Sequence, residues 1–483
     1  MQFFQVNSKT PSCHGIKNLI LISCFACTIY FLYPFILVPN SNFLDHNSVS
    51  HQYDDLSSSL SATTTLQHVV FGIASNSKSW SKRKEYVKLW WKPNEMRGCV
   101  FLEENLPNST TTTTNESILL PPICISEDIS RFPYTNRGGN PSAIRVARVV
   151  SETVALNFNH SDVKWFVFGD DDTIFFQENL VKTLSKYDNG LWYYIGSNSE
   201  SFIQNKFFSF DMAFGGAGFA ISYPLAKVLA RVFDSCIERY PHLYGSDGRI
   251  HACLTELGVT LTHEPGFHQM DFHGNAFGLL AAHPIRPLVS LHHMEKIDPI
   301  FPNMSRMKSL QHLYHAANFD PHRILQQTVC YDGRFSWTVS VSWGYVVQVF
   351  EHNVQLPDAQ RVQESYLPWK KNAYGTLYEF NTRKFEFDPC RRQLVYYLDD
   401  VSMGVDGIKT IYKKKTYENC TFSKSSPRKL EEIRVFSHKL ELDRKQLLAP
   451  RRHCCDILPS TSDEVMEIGI RECKEDELIY MHK

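Results

Sequence analysis

An apolar run ending in three consecutive aspartates constrains this chain more than any other stretch. Residues 165–168 have the length and character of a buried strand, Gly169 breaks it, and Asp170, Asp171 and Asp172 follow before the chain turns apolar again at Ile174. Adjacent carboxylates repel, so a fold that collects three of them at a strand end must supply compensating charge, and a divalent cation with oxygen ligands is one source. Alternate side chains of an extended segment share a face, so Asp170 and Asp172 point one way and Asp171 points back into the protein. The competing reading is a solvated loop start, with Asp172 and Glu178 opening a helix over residues 179–187. A calcium loop of the helix-loop-helix type is excluded, because its sixth position must be Gly and its twelfth Glu, where this chain has Phe175 and Val181.

The flanking sequence alternates strand and helix patterns. Residues 66–75 read as a buried first strand, 79–92 as a helix stopped by Pro93, 97–102 as a second strand, and 103–122 as a polar surface insertion. A helix over 141–156, with Pro141 at its start, leads into the aspartate stretch; a strand over 191–196 and a helix over 225–240 follow. This alternation predicts an α/β layered domain with a mostly parallel sheet, in which ligands gather at the carboxyl ends of the strands. Between these elements lie Gly215, Gly216, Ala217 and Gly218, small residues that let the backbone approach a ligand or a second strand closely. They are not a dinucleotide fingerprint, since Ile221 stands where the third Gly belongs, and no P-loop lysine follows. Asp247 opens a predicted helix, where it serves either as a helix cap or as a general base beside a metal and a sugar hydroxyl. Among the histidines that follow, His263 does not start a zinc-protease helix, because no second His stands at the required spacing.

The 483 residues exceed the usual size of one domain. A net charge of −1 without a long basic run argues against nucleic-acid binding. Residues 19–38 carry no charge and follow Lys9 and Lys17, which predicts an uncleaved signal anchor, a cytosolic tail over 1–18 and a body across the membrane. Residues 39–65, rich in Ser, Thr and Asn, read as a flexible stem. Asn108, Asn115, Asn159, Asn303 and Asn419 head glycosylation triplets, and the ten cysteines after the anchor are an even number, compatible with full pairing in an oxidising lumen. Residues 66–319 form the expected catalytic body. From about residue 320 the pattern turns to alternating strands, at 333–343, 345–350 and 394–398, with six of the ten cysteines, so a β-rich, disulfide-stapled region is expected over 320–483.

In this order, the anchor, stem, aspartate triplet, glycine-rich turn and Asp247 resemble the Fringe-like glycosyltransferases of family 31. The resemblance covers residues 66–302, and the segment 288–294 with the C-terminal part is similar to the plant Fringe-related group, catalogued as a domain of unknown function. It implies a GT-A fold, an inverting mechanism, a UDP-sugar donor, a glycan or glycoprotein hydroxyl as acceptor, a β-1,3 linkage, and a Golgi type II membrane protein. It assigns the donor site to Asp170, Asp171 and Gly215–Gly218, and a Mn²⁺ (or Mg²⁺) ion to Asp170 and Asp172, Asp172 most directly. It makes Asp247 the catalytic base, although Ser246 stands where the family has a second acid; that departure motivates the alternative of an inactive luminal glycan-binding or scaffold protein. The family's metal-binding His corresponds to His293 by preference, with His268 and His283 competing.

Overall fold

A computed structural model describes residues 64–106, 118–156, 160–369, 377–415 and 419–481. The expected anchor, its cytosolic tail and nearly all of the stem lie outside these residues, as do Asn108, Asn115 and Asn159. No helix among the described residues is long and apolar enough to cross a membrane.

Strands β1 (Val69–Ala74), β2 (Arg97–Leu102), β3 (Ile123–Ile125) and β4 (Trp165–Asp170) pair in parallel in the order β3-β2-β1-β4. The sheet continues through β7 (Phe219–Ser222), β6 (Tyr194–Gly196) and β8 (Leu261–His263). A short pair member, β5 (Ile174–Phe175), lies apart from it. Because β7 runs antiparallel to both β4 and β6 while β6 and β8 are parallel, six strands share one direction and β7 alone is reversed. The expected mostly parallel sheet is therefore a mixed one, and the reversal has a consequence for the site. It puts the amino end of β7, and the glycine-rich turn just before it, beside the carboxyl end of β4, with Phe219 opposite Phe168. A parallel β7 would carry that turn to the far edge.

Both faces of β4 are covered, as its unbroken apolar run requires. Trp165 and Val167 enter one core with Val69, Phe71 and Ile73, and Phe166 and Phe168 enter the other with Val70 and Ala74. Helix α1 (Ser77–Trp90) seals the first face with Trp80, Val87 and Trp90; Asn76 caps it by accepting from the N–H groups of Lys78 and Ser79. Helices α2 (Ser142–Ala155) and α4 (Tyr223–Ile237) seal the second with Ile144, Ala147, Leu225 and Phe233, and α5 (Ser246–Glu256) packs on both. A disulfide between Cys236 of α4 and Cys253 of α5 fixes the last of these. Helix α3 (Gln177–Leu184) follows β5 directly.

The β-rich C-terminal region is an eight-stranded sheet. Its strands are β12 (Gln327–Tyr331), β13 (Thr338–Ser342), β14 (Val346–Phe350), β18 (Leu394–Gly404), β19 (Gly407–Lys414), β20 (Glu432–Ser437), β22 (Val465–Arg471) and β21 (Cys454–Leu458), in that spatial order. The outer strands of this order, β12 and β21, are joined by the Cys330–Cys455 disulfide with a Cα–Cα distance of 5.5 Å, so the sheet curls until its edges meet. Edge strands left open would invite pairing with other chains. Cys390–Cys420 and Cys454–Cys473 lie in the same region, Cys99–Cys124 in the first sheet, and all ten cysteines of the described residues are paired.

The two sheets are not independent. The core that holds Trp165 runs on through Leu310 and Leu313 of α6 (Arg306–Phe319) into Val339, Val341, Tyr396 and Ile468 of the second sheet. Smaller sheets stitch them further: β10 (Phe272–Gly274) pairs with β16 (Tyr366–Pro368), β15 (Val362–Gln363) with β17 (Thr382–Arg383), and β5 with β11 (Ser290–Leu291), which also pairs with β9 (Phe267–His268).

Replacing Cys330 and Cys455 together by Ser frees the two edges. We expect a loss of about 2–5 kcal/mol in urea unfolding and faster amide exchange confined at first to β12 and β21.

Candidate functional site

Four separate parts of the chain meet at the carboxyl edge of β4. Asp170, the last residue of β4, lies opposite Ala74 at the end of β1. The chain then turns sharply, with Thr173 N–H donating to Asp170 O at 3.1 Å. The Thr173 hydroxyl accepts from the Asp170 N–H at 2.8 Å and donates to the Gly216 carbonyl at 2.7 Å. The aspartate turn and the glycine-rich turn are thus tied through one side chain.

Asp171 points back, as strand alternation requires. It accepts hydrogen bonds from Ser75 Oγ (2.6 Å), Ser79 Oγ (2.8 Å) and Arg83 Nη1 (2.9 Å), all from the end of β1 and the start of α1. Asp170 and Asp172 face the other way, toward His292, whose Nε2 is 3.2 Å from Asp172 Oδ1 and 3.7 Å from Asp170 Oδ2. One ligand atom from each of the three lies within 4.8 Å of the others. Asp172 is 1% exposed, and neither of its oxygens accepts a well-aligned hydrogen bond; its charge partners are His292 and Arg83 Nη2, the latter at 3.3 Å. Buried carboxylate oxygens without hydrogen-bond donors, next to an imidazole nitrogen, fit a divalent cation with mixed oxygen and nitrogen ligands. The other ring nitrogen, Nδ1, faces the Gln269 carbonyl at 3.3 Å, which leaves Nε2 for the acidic side.

The electrostatics agree with the geometry. Burial pushes the Asp170 carboxyl up to about 7; the charge of His292 opposes this, and those of Asp172, Asp247 and Asp171 add to it. Burial also works against ionising Asp172, but His292 and Arg83 outweigh it and hold this carboxyl at about 2. Burial disfavours a proton on His292, yet Asp172 and Asp170 raise it to about 9. The proton on His292 therefore supplies the positive charge the pocket demands, and a metal ion bound there would take that proton's place.

The glycines are required by close approach. A Cβ on Gly216 would lie 2.1 Å from His292 Cε1, and one on Gly215 2.6 Å from Asp247 Oδ1. Gly218 has φ +83°, the left-handed region that side chains disfavour. Ala217 N–H donates to Gln269 Oε1 at 2.7 Å, and Ser290 Oγ donates to the Ala217 carbonyl. Asp247 sits in the first turn of α5, where it accepts from the Gly215 N–H and from Ser246 Oγ at 3.0 Å, and burial raises its carboxyl. It shares a cavity of about 20 Å³ with Ala74, Asp170, Gly215 and Phe219. Ser246 thus supports Asp247 with its hydroxyl.

The structure corrects the choice of histidine. His293 leaves the strand direction with φ +51°, and its Nδ1 lies 3.3 Å from Asp271 Oδ1, away from the triplet. His268 and His283 have every ring nitrogen engaged: His268 Nδ1 with Glu200 Oε1 (3.0 Å), the two Nε2 atoms with each other (2.9 Å), and His283 Nδ1 with Pro284 O (2.8 Å). Neither joins the acidic cluster. The signal that would have selected His292 is the period of a strand. Ser290, two residues earlier, faces the glycine-rich turn, so His292 does too. Arg83, within the helix expected over 79–92, bridges Asp171, Asp172 and Glu295 (2.8 Å from its Nη2).

With this geometry established, the family described as a protein of unknown function, DUF604, matches residues 204–455. A beta-1,3-glucosyltransferase of Mus musculus is 30% identical over 148 residues, covering 30% of this chain and 28% of that protein. A beta-1,3-glucosyltransferase of Homo sapiens is 29% identical over 114 residues, covering 24% and 22%. The chain thus matches less than a third of the length of these relatives. The crystal structure of the galactosyltransferase LgtC with donor and acceptor sugar analogues aligns over 50% of this chain and 94% of that one, at 12% identity and a TM-score of 0.33. At that score the likeness carries no weight.

The geometry makes the two adjacent histidines unequal. His292→Ala and Gly216→Ala, which would displace the same ring, should each lower Mn²⁺ affinity by about 100-fold or more, whereas His293→Ala should change it by less than about 10-fold; calorimetric titration of the full-length chain checks this.

Proposed function

The chain belongs to the DUF604 family, and from that premise and the geometry of the acidic site we propose that it is an inverting glycosyltransferase that moves a sugar from a UDP-sugar to a hydroxyl of a glycan or glycoprotein. The observation that carries this reading is a single one: Asp170, Asp172 and His292 converge on one point, while Asp247 faces the same void as Asp170 from across Gly215. An acidic cluster alone fits many functions. A separate, pKa-raised carboxylate on the adjacent wall is what a transfer to a hydroxyl needs, because a general base works best when its pKa approaches the working pH.

In this reading Asp170, Asp172 and His292 would hold a divalent cation, Mn²⁺ or Mg²⁺, and such an ion would supply positive charge against the negative charge gathering on the departing diphosphate. Gly215–Gly218 let the donor approach the backbone, and Asp171, locked by Ser75, Ser79 and Arg83, holds the aspartate turn in place. Asp247 accepts the proton of the acceptor hydroxyl. The hydroxyl oxygen forms a bond to the anomeric carbon as the bond from that carbon to the diphosphate oxygen breaks, and UDP leaves with the electron pair. Attack from the face opposite the diphosphate inverts the anomeric configuration.

The sequence similarity to beta-1,3-glucosyltransferases supports a β-1,3 linkage and makes UDP-glucose the first donor to test. Similarity of residues 288–294 and the C-terminal part supports membership of the plant Fringe-related group and a GT-A fold. We place the protein in the Golgi membrane as a single-pass type II protein, with a tail over 1–18, an anchor over 19–38, a stem over 39–65, a transferase body over 66–319 and a β-rich region over 320–483. Five disulfides, and exposed acceptor asparagines at Asn303 and Asn419, support an oxidising lumen for the body.

Full-length chain incubated with Mn²⁺ and a panel of UDP-sugars should release UDP, and chelation should stop the release. Asp247→Asn should lower turnover by about 10²–10⁴-fold with donor affinity retained. Donor binding without turnover by the native chain, or an Asp247→Asn variant as fast as the native one, would instead support a sugar-binding protein.

A further inference from the structure

A second charged site lies away from the acidic cluster, beside the start of β12 in the second sheet. A cavity of about 40 Å³ is bounded by Arg286, by His322 and Arg323 after α6, by Gln327 at the start of β12, and by Arg451, Arg452 and His453 before β21; no Asp or Glu is among its lining residues. None of Asp170, Asp172, Asp247 and His292 borders it.

The four arginines are not equivalent. Arg323 is neutralised in place: its Nε lies 3.1 Å from Asp320 Oδ2, its Nη2 donates to the His438 carbonyl at 3.0 Å, and its Nη1 meets His453 Nδ1 at 3.1 Å. With an arginine on that nitrogen, His453 is held in its neutral form, and burial together with Arg323 lowers it to about 4. The other three arginines have no carboxylate in ion-pair contact among the described residues. Arg452, partly buried, donates Nη1 to the Gln327 carbonyl at 2.9 Å, and burial lowers its guanidinium to about 10 with no acidic neighbour opposing. Arg451 donates Nη2 to the backbone carbonyl of Glu477 at 3.1 Å, while the Glu477 carboxylate is taken by Arg471 at 2.7 Å. Arg286 reaches only the Ile285 carbonyl, at 3.4 Å.

Three like charges gathered around one cavity repel, and the partial burial of Arg286 and Arg452 removes water that would screen them. Guanidinium groups have the planar fork that suits oxyanions. We propose that this cavity binds a small oxyanion, a phosphate, a sulfate or the carboxylate of an acidic sugar, held by Arg286, Arg451 and Arg452. The space exceeds the roughly 10–15 Å³ that one water needs and admits a group of a few atoms, so any sugar carrying the anion stays outside. The inference does not depend on the reaction proposed for the acidic site.

Thermal unfolding of the full-length chain at constant ionic strength tests it, with inorganic phosphate, sulfate or glucuronate replacing chloride up to about 10 mM. At least one oxyanion should raise the midpoint saturably by about 2 °C or more, and Arg452→Met and Arg451→Gln should each remove most of that rise. A larger rise with glucuronate identifies an acidic sugar as the source, and a larger rise with phosphate or sulfate a free anion. If no oxyanion exceeds chloride, or if Arg451→Gln, an exposed position where folding is not at risk, responds as the native chain does, the proposal is overturned.

Discussion

The placement of three consecutive carboxylates at the end of a doubly covered strand is the constraint on which this structure depends. Two unit charges about 4 Å apart interact by roughly 4 kcal/mol at an effective dielectric near 20, and Asp171 and Asp172 are both almost fully buried. The fold answers by splitting the triplet. Asp171 is bound backward by Ser75, Ser79 and Arg83, while Asp172 is left with only charge partners, His292 and one arm of Arg83. Arg83 spans both halves and continues to Glu295, so one residue of α1 couples the strand end to the segment that delivers His292. The bare backbone of Gly216 leaves room for the His292 ring in that arrangement.

Side chains from three helices hold the same arrangement from behind. Tyr314 of α6 donates to the Phe175 carbonyl at 3.1 Å, two residues past the aspartate turn, and Trp90 Nε1 donates to the Thr173 carbonyl at 2.9 Å. Asn179 donates to the carbonyls of Leu288 (2.9 Å) and Pro321 (2.7 Å), which joins the helix after the triplet to the strand that precedes His292. These contacts brace the two segments that must meet at the acidic cluster, within one apolar core that continues into the β-rich region.

Much of this was legible in the sequence. Apolar runs at β1 and β4 announced buried strands, and the opposite facing of Asp171 followed from strand period alone. Four features were not legible, each because it depends on contacts distant in the chain. The reversal of β7 depends on which strands flank it, and nothing in residues 214–222 encodes a neighbour. The pairing of Cys330 with Cys455 depends on how far the second sheet curls. His292 was not legible as a ligand because a His doublet offers no local distinction between its members; the pairing of β9 with β11 sets which face Ser290, and with it His292, turns toward the glycine-rich turn. Arg83 escaped notice because an arginine on a helix is ordinary until its acidic partners are known.

The central proposal is that Asp170, Asp172 and His292 would hold a divalent cation beside the diphosphate of a bound nucleotide. Pulsed electron paramagnetic resonance of Mn²⁺ bound to the full-length chain with UDP tests it in one spectrum. The account predicts nitrogen coupling from a single imidazole, absent in His292→Ala, together with phosphorus coupling from the diphosphate. Mn²⁺ bound with no imidazole nitrogen, or with no phosphorus coupling at saturating UDP, would contradict it.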